Sequence, residues 1–219
     1  MQKRTINILG SADQIPQKIK GWNHTFQMAK PYIKGNGIGI DIGCREGGFA
    51  REMAKPYIKG NGIGIDIGCR EGGFAREMEN DFTHIHCFDF RDKKKMFVKN
   101  VIDMTKFTYH VCGIGDNEGT AFTTSNKVGR IKDNGNVAIP MATIDSFNFN
   151  NVSFIKYDIE GYEVKALKGS EHTIKKCEPV VVIEQNRGNI DAQKLLESWG
   201  YTCKGVDKVF NQDYIMVKE

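Results

Sequence analysis

The chain has 219 residues, a length that fits one ordinary domain, and its 40 % hydrophobic and 26 % charged residues are typical of a globular protein. The net charge of +4 is too small to argue for nucleic-acid binding by itself. No apolar stretch approaches the roughly 18 residues of a membrane span and the N-terminus lacks an apolar signal region, so we expect a single cytoplasmic domain over residues 1–219 with no membrane contact.

Strands and helices alternate along most of the chain. The patterns predict helices at 22–30, 71–78, 92–101, 162–177 and 190–199, and strands at 63–67, 84–88, 107–114, 118–124, 137–144, 152–158, 179–183, 201–209 and 214–217. The alternation indicates an α/β fold with a mostly parallel, doubly wound sheet. The last two strands are too close for a crossover helix, so one strand near the C-terminus must be antiparallel. The polar segment 126–136 predicts a mobile loop.

The cysteines predict neither disulfides nor a zinc site. None of the six forms a Cys-x-x-Cys pair, and Cys44 and Cys69 are copies of one position in a repeat. Cys87 and Cys112 fall in predicted strands, where a free cysteine behaves as a small hydrophobic residue. This pattern is typical of a reducing compartment.

A tandem duplication interrupts the first part of the chain. Residues 28–52 and 53–77 share the same 25 letters, MAKPYIKGNGIGIDIGCREGGFARE. In a βαβ nucleotide site, an acidic residue follows the glycine loop by roughly 20 residues. Asp89 lies 21 residues after Gly68 but 46 after Gly43. We therefore expect the second copy to form the loop and the first copy to precede the first strand as extra chain.

The opposite arrangement places residues 39–43 in the sheet and loops out the second copy. It would break the connection between the first helix and the second strand, so we prefer it less. In either arrangement one Ile-Gly-Ile-Asp-Ile segment lacks its normal place. That segment is expected to add to a sheet edge, pack on the surface or mediate self-association.

The second copy has the features of a ligand loop between a strand and a helix. Gly68 allows a sharp turn, and Gly72 or Gly73 allows a ligand to approach the backbone. The spacing DxGxxxG differs from the GxGxxG of many dinucleotide sites, which makes NAD a poorer candidate. Asp89, at the end of the next strand, is suited to accept the two hydroxyls of a ribose, or alternatively to cap the following helix.

The segment FIKYDIEGYEVKALKG concentrates carboxylates at the end of a buried strand. This strand delivers Asp158 to the carboxyl edge of the sheet, where ligands bind in open α/β folds. Glu160 and Glu163 follow in the loop and the first helical turn. The alternative role of these two glutamates is to cap the helix and interact with its dipole.

The segments DIGCREGGF, IHCFD, TIDSF, FIKYDIEGYEVKALKGSE and PVVVIE resemble, in order and spacing, the FkbM family of methyltransferases over roughly residues 60–217. The resemblance implies a Rossmann-like class I methyltransferase fold, S-adenosyl-L-methionine as cofactor and a hydroxyl acceptor, often on a sugar or another small molecule. By position it implies these cofactor-binding residues: Asp66, Gly68, Cys69, Gly72, Asp89, Gly113, Asp116 and Asp158. Asp66, Gly68 and Gly72 would lie at the methionine end, Asp89 at the ribose, Gly113 to Asp116 at the adenine and Asp158 near the methyl group. The sequence departs from the family pattern at Asp89, where Glu is more common, at Phe90, where Pro is more common, and in the duplication.

The predicted catalytic residues are Asp158 and Glu160. Methyl transfer from a sulfonium mainly requires alignment of oxygen, methyl carbon and sulfur, and an alcohol must also lose its proton. Asp158 is the first candidate to orient or deprotonate the acceptor, with Glu160 and His110 as weaker candidates. We predict no metal, although Asp158, Glu184 and Asn186 form an alternative oxygen-ligand set for Mg²⁺.

Two other functions remain open. A nucleic-acid 2′-hydroxyl methyltransferase would need a concentrated basic groove, which the scattered lysines do not favour. A cofactor-binding or interaction module, inactivated by the duplication, would self-associate without transferring methyl groups.

Overall fold

The structure is a computed structural model and describes residues 51, 54–124, 131, 135–185, 189–207 and 212–219. These residues belong to a compact unit that spans residues 46–219. The predicted helix at 22–30 and the first copy of the repeat, apart from Arg51, lie outside the described residues. The single-domain prediction for residues 1–219 therefore stays a prediction.

Ten strands and five α-helices form the described part. The strands are β1 (Ile63–Ile67), β2 (His84–Phe88), β3 (Phe107–His110), β4 (Gly113–Ile114), β5 (Gly119–Thr123), β6 (Val137–Ala142), β7 (Val152–Tyr157), β8 (Val180–Gln185), β9 (Tyr201–Asp207) and β10 (Gln212–Lys218). The helices are α1 (Gly73–Met78), α2 (Lys94–Asn100), α3 (Glu163–Lys168), α4 (Glu171–Cys177) and α5 (Asp191–Ser198). Short 3-10 turns cover Lys55–Tyr57, Met104–Lys106 and Asp145–Phe147.

Seven strands form the main sheet in the order β3-β2-β1-β7-β8-β10-β9. All neighbours pair in parallel except β10, which is antiparallel to both β8 and β9. This confirms the predicted mostly parallel sheet with one antiparallel strand near the C-terminus. The chain runs outward from β1 to β3 and resumes on the other side at β7. The carboxyl ends of β1 and β7 therefore flank the switch point at which ligands bind in such sheets.

The single strand predicted at 107–114 is wrong. Its first part, β3, is an edge of the main sheet, and its second part, β4, belongs to a separate three-stranded sheet of order β4-β6-β5. Gly113 packs so closely on Met141 of β6 that a Cβ atom there would lie 2.6 Å from the sulfur. Because β4 pairs with β6, the chain leaves the main sheet after β3 and enters the second sheet.

The helix predicted at 162–177 is also divided. Gly169 passes so close to the second sheet that a Cβ atom there would lie 1.9 Å from the carbonyl oxygen of Gly115. Helix α4 then begins anew, and the Asp145 carboxylate accepts hydrogen bonds from Thr173 N at 2.8 Å and His172 N at 3.0 Å. A distant side chain thus satisfies the first amides of α4, as a capping residue does.

The two faces of the main sheet have separate hydrophobic cores because side chains alternate along each strand. One core contains Ile65, Ile155 and Tyr157, and the other contains Phe154, Val182 and helix residues such as Phe74. Asp66 and Lys156, which are aligned in the pairing of β1 with β7, lie on this second face. Two charged residues thus occupy an otherwise apolar layer just below the switch point.

No helix within the described ranges is long and apolar enough to cross a membrane. The five cysteines in these ranges, Cys69, Cys87, Cys112, Cys177 and Cys203, are free thiols.

Candidate active site

A cavity of about 200 Å³, open to solvent on one side, lies at the carboxyl ends of β1, β2 and β7. Four of the eight predicted cofactor residues, together with the catalytic candidate Glu160, line it: Gly68, Asp89, Gly113 and Asp158. The second copy of the repeat supplies the β1 side of this cavity, because β1 is Ile63–Ile67.

Gly68 is required by the close approach of two strand ends. Its φ of +93° is in the region that favours glycine, and a Cβ atom would lie 1.9 Å from the carbonyl oxygen of Asp158. Asp158 N donates to Ile67 O at 2.9 Å, which fixes the two chain segments side by side. The glycine therefore allows β1 to turn directly beside the Asp158 loop.

Asp89 is buried and accepts hydrogen bonds on both oxygens. Oδ1 accepts from Arg91 N at 2.8 Å and Arg91 Nε at 2.7 Å, and Oδ2 accepts from Arg91 Nη2 at 2.6 Å and Arg70 N at 3.0 Å. A carboxylate has about four acceptor positions, and all are used here. Asp89 thus lies where the ribose role requires, but Arg91 holds it.

Asp66 lies beneath the cavity rather than on its wall. Its side chain is 1 % exposed, and neither oxygen has a hydrogen-bond partner among the residues that the structure describes. Burial raises the pKa of Asp66 to about 7, while attraction by Lys156 opposes the rise. An unpartnered buried carboxyl group is costly and therefore suggests a missing donor or cation.

The other predicted cofactor residues lie farther from the cavity. Cys69 is buried against Cys87, and burial raises the pKa of its thiol well above the usual value. Gly72 has a φ of +84° and packs under Phe97, where a Cβ atom would lie 2.6 Å from the ring. Asp116 is exposed in the turn after β4. These three residues are not part of the cavity lining.

Asp158 is in contact with a buried lysine and a second carboxyl group. Lys156 Nζ lies 2.8 Å from Asp158 Oδ2 and 4.7 Å from the centre of the Phe74 ring. Burial would raise the pKa of Asp158, but Lys156 and a hydrogen bond with Glu184 lower it below its usual range. Burial, followed by the hydrogen bond with Asp158, raises the pKa of Glu184 to about 9.

The two glutamates after Asp158 have different roles. Glu160 Oε1 accepts from Arg70 Nη2 at 3.1 Å, an ion pair that joins the loops after β1 and β7 at the cavity. Glu163 is buried at the start of α3, and its Oε1 accepts from Gly161 N at 2.9 Å. Glu163 therefore bonds back to the loop before α3 and is not part of the cavity lining, whereas Glu160 lines the cavity.

His110 belongs to an aromatic cluster rather than to the cavity lining. Its Nε2 lies 3.0 Å from Nδ1 of His86, and its ring stacks on Phe88 with centres 4.4 Å apart. Burial lowers the pKa of both histidines, that of His86 to about 4. His110 is therefore not placed to contact a ligand in the cavity, whereas Asp158 lines it.

The magnesium alternative has little support in the described residues. Asn186 lies outside them, and within them no group of three or more His, Cys, Asp or Glu side chains could hold a metal ion. Asp158 and Glu184 are instead hydrogen-bonded to each other, beside the positive charge of Lys156.

Sequence reasoning missed the basic partners of these carboxylates. The sequence pattern indicates Arg91 only as the start of a helix and Lys156 only as part of a buried strand. A lysine inside the apolar run FIKY was the one available signal, because a fully buried lysine needs a paired charge. Nothing in the sequence indicated that Arg91 would fold back onto Asp89.

The methyltransferase FkbM domain family matches residues 41–212. The chain belongs to this family. The match begins at Asp41, the first-copy counterpart of Asp66, and therefore includes the glycine loops of both copies. As a member of the family the chain has S-adenosylmethionine as its cofactor.

Solved structures share the fold of this FkbM chain. The methyltransferase FkbM from Methylobacillus flagellatus KT is 20 % identical, with a TM-score of 0.55 over 71 % of this chain and 43 % of that chain. A protein from Streptococcus mutans in complex with SAH is 10 % identical, with a TM-score of 0.51 over 81 % of this chain and 100 % of that chain. An rRNA methylase from Streptococcus thermophilus is 8 % identical, with a TM-score of 0.50 over 78 % and 94 %.

These identities establish the fold alone. The chain also spans less than half the length of the Methylobacillus flagellatus protein. No curated protein sequence matches the chain.

The residues of the FkbM site fit the family's cofactor. The two unpartnered oxygens of Asp66 are suited to the amino group of the methionine part, which brings both charge and donors. Asp89 lies at the end of β2, where a carboxylate binds ribose hydroxyls in such folds, once Arg91 is displaced. The cavity that Asp89 lines is open to solvent and so allows entry.

Proposed function

We propose that the protein transfers a methyl group from S-adenosylmethionine to a hydroxyl oxygen of a small molecule, such as a sugar. The observation that carries this proposal is the cavity shared by Gly68, Asp89 and Asp158 at the switch point of the sheet. Asp89 would hold the ribose and Asp158 would lie beside the reacting methyl group. Asp66 would bind the amino group from below, and Gly113 would border the adenine.

The protein's own residues would mainly align the reactants. Donor sulfur, methyl carbon and acceptor oxygen must be in line, and the walls of the cavity restrict both molecules to that geometry. Asp158 would accept the hydrogen bond of the acceptor hydroxyl and so point an oxygen lone pair at the methyl group. Glu160 would hold the loop after β7 closed through Arg70.

Among the described residues, three basic side chains near the cavity have carboxylate partners, which favours a small acceptor over a nucleic acid. Arg91 binds Asp89, Arg70 binds Glu160, and Lys93 lies 3.4 Å from Glu71. Paired charges offer less attraction to a phosphate backbone than a free basic groove. Cytoplasmic location and self-association through the first copy of the repeat remain predictions.

The test is methyl transfer from tritiated S-adenosylmethionine to a panel of sugars and other polyols, with total RNA as a separate arm. We expect label in at least one hydroxyl compound, loss of labelling in Asp158→Asn and unchanged labelling in the surface control Asp191→Asn. Labelled RNA would instead support the nucleic-acid alternative. Binding of S-adenosylhomocysteine without transfer in any arm would support a cofactor-binding module.

A further inference from the structure

A cluster of four ionisable side chains lies on the adjacent strands β7, β8 and β10, next to the cofactor cavity. Tyr157 pairs with Ile183, so Asp158 and Glu184 follow at the same level on adjacent strands. Asp213 of β10 pairs with Glu184 from the other side. Lys156, two residues before Asp158 on β7, completes the cluster on the same face.

The contact between Asp158 and Glu184 requires a proton. An ionised carboxylate is only an acceptor, so two carboxyl groups can form a hydrogen bond only when one of them is protonated. Lys156 is bound to Asp158 Oδ2, which keeps the negative charge on Asp158 and the proton on Glu184. The pair with Lys156 is then electrically neutral, as a largely buried cluster should be.

The neighbouring charges act on this pair from several elements. Burial alone would lower the pKa of Lys156. The attraction of Asp158, Asp213 and Asp66 outweighs this effect and raises the pKa, so the ammonium stays charged. Asp213 opposes ionisation of Glu184, and Arg70 favours ionisation of Asp158. The charged groups that face the pair are therefore these: Lys156 on β7, Asp213 on β10, Asp66 on β1 and Arg70 in the loop after β1.

We propose that Glu184 is a positioning residue that shares one proton with Asp158, and that the pair releases this proton when the sulfonium of S-adenosylmethionine binds beside Asp158. This inference rests on the proposed function. The positive sulfonium favours the fully ionised pair, and loss of the proton leaves both carboxylates ready to take the proton of the acceptor. Cofactor binding would thus deprotonate the Asp158–Glu184 pair before methyl transfer.

The reaction then balances without another reactant. The acceptor oxygen forms a bond to the methyl carbon as the carbon–sulfur bond breaks, and the sulfur keeps the electron pair as a neutral thioether. The hydroxyl proton moves to Asp158, where the shared position with Glu184 retains it. An isolated Asp158 beside Lys156 would bind this proton weakly, and so Glu184 raises the proton affinity of the site.

Calorimetry can detect the released proton without knowledge of the acceptor. Binding enthalpies of S-adenosylmethionine and S-adenosylhomocysteine are measured at pH 8 in buffers with different ionisation enthalpies, which gives the number of protons released. A cation within about 4–6 Å lowers a carboxyl pKa by roughly 1–3 units. If the sulfonium lowers the raised pKa of Glu184 past the pH of the measurement, S-adenosylmethionine releases up to about one proton more than the neutral S-adenosylhomocysteine.

The matched variants are Glu184→Gln and the exposed control Glu118→Gln. The Glu184→Gln change keeps the size of the side chain, and the new amide can still donate to Asp158, so we expect both ligands to bind and the difference in proton release to vanish. Glu118→Gln should retain the difference. Equal proton release by the two ligands in the unmodified protein, or a difference that survives in Glu184→Gln, would overturn the inference. Failure of both ligands to bind would instead overturn the proposed function.

Discussion

Replacement of Arg91 by alanine should strengthen binding of S-adenosylhomocysteine. The guanidinium donates two hydrogen bonds to Asp89, at 2.7 and 2.6 Å, and its side chain is only 14 % exposed. A ribose can use Asp89 only after these bonds are broken, because the carboxylate has no acceptor position left. Removal of the arginine removes that competition.

The magnitude follows from a thermodynamic cycle. A hydrogen bond to a charged group contributes about 1.5–3 kcal/mol, and the displaced guanidinium recovers much of this in water at the cavity mouth. We therefore expect displacement of Arg91 from Asp89 to cost about 1.4 kcal/mol in the unmodified protein. Without this cost, Arg91→Ala should bind the ligand about tenfold more tightly. The free variant should be less stable by the same amount, or about 3–6 °C in Tm, because Asp89 loses its partner.

Isothermal titration calorimetry and thermal unfolding of the same samples measure both effects. Arg76→Ala, which removes an exposed arginine from α1, is the matched control and should change neither quantity. Unchanged or weaker binding in Arg91→Ala would refute the reasoning, since it would mean that Arg91 does not compete with the cofactor or contacts it directly.

Two further predictions concern stability. The pKa of His86 is about 4 in the folded chain, against about 6.5 in the unfolded chain. Between these pH values the unfolded chain binds more protons than the folded chain. The free energy of unfolding therefore falls as the pH drops below about 6.5. Because the ring is partly exposed we expect a loss of about 1–2 kcal/mol by pH 4.5, and denaturant unfolding should show a shallower pH dependence in His86→Gln but not in the exposed control His172→Gln. Asp145→Ala should cost about 1–2 kcal/mol because it removes the cap of α4, and an unfolding midpoint equal to that of the unmodified protein would contradict this role.

The main sheet could be predicted because its central strands have a strong local signal. Buried apolar runs such as Val180–Ile183 fit a parallel strand covered on both faces, and the short link between the last two strands forces an antiparallel neighbour. The break between β3 and β4 had no such signal. The letters FTYHVCGI read as one strand, and only the pairing of Gly113 with Met141 of β6 separates them.

The site could be predicted where a residue's role follows from its place at a strand end. Gly68, Asp89 and Asp158 end three strands whose carboxyl ends meet, so the topology alone brings them to one cavity. Side-chain pairing could not be predicted, because Arg91 and Glu184 reach their partners only through the three-dimensional course of their loops and strands. The lack of a hydrogen-bond partner for Asp66 among the described residues could not be predicted for the same reason.

Copy-specific substitutions test the central claim, that the second copy of the repeat builds a cofactor site, most directly. Gly68→Ala places a Cβ atom 1.9 Å from the carbonyl oxygen of Asp158, whereas Gly43→Ala makes the same change in the same sequence context of the first copy. Circular dichroism establishes that each variant is folded before titration with S-adenosylhomocysteine.

We predict that the unmodified chain, Gly43→Ala and a chain without residues 28–52 bind S-adenosylhomocysteine with comparable affinity, and that Gly68→Ala binds at least about tenfold more weakly. Loss of binding in Gly43→Ala with retention in Gly68→Ala would show that the first copy builds the site. Absence of binding in all four proteins would contradict the assignment of the cavity to this cofactor.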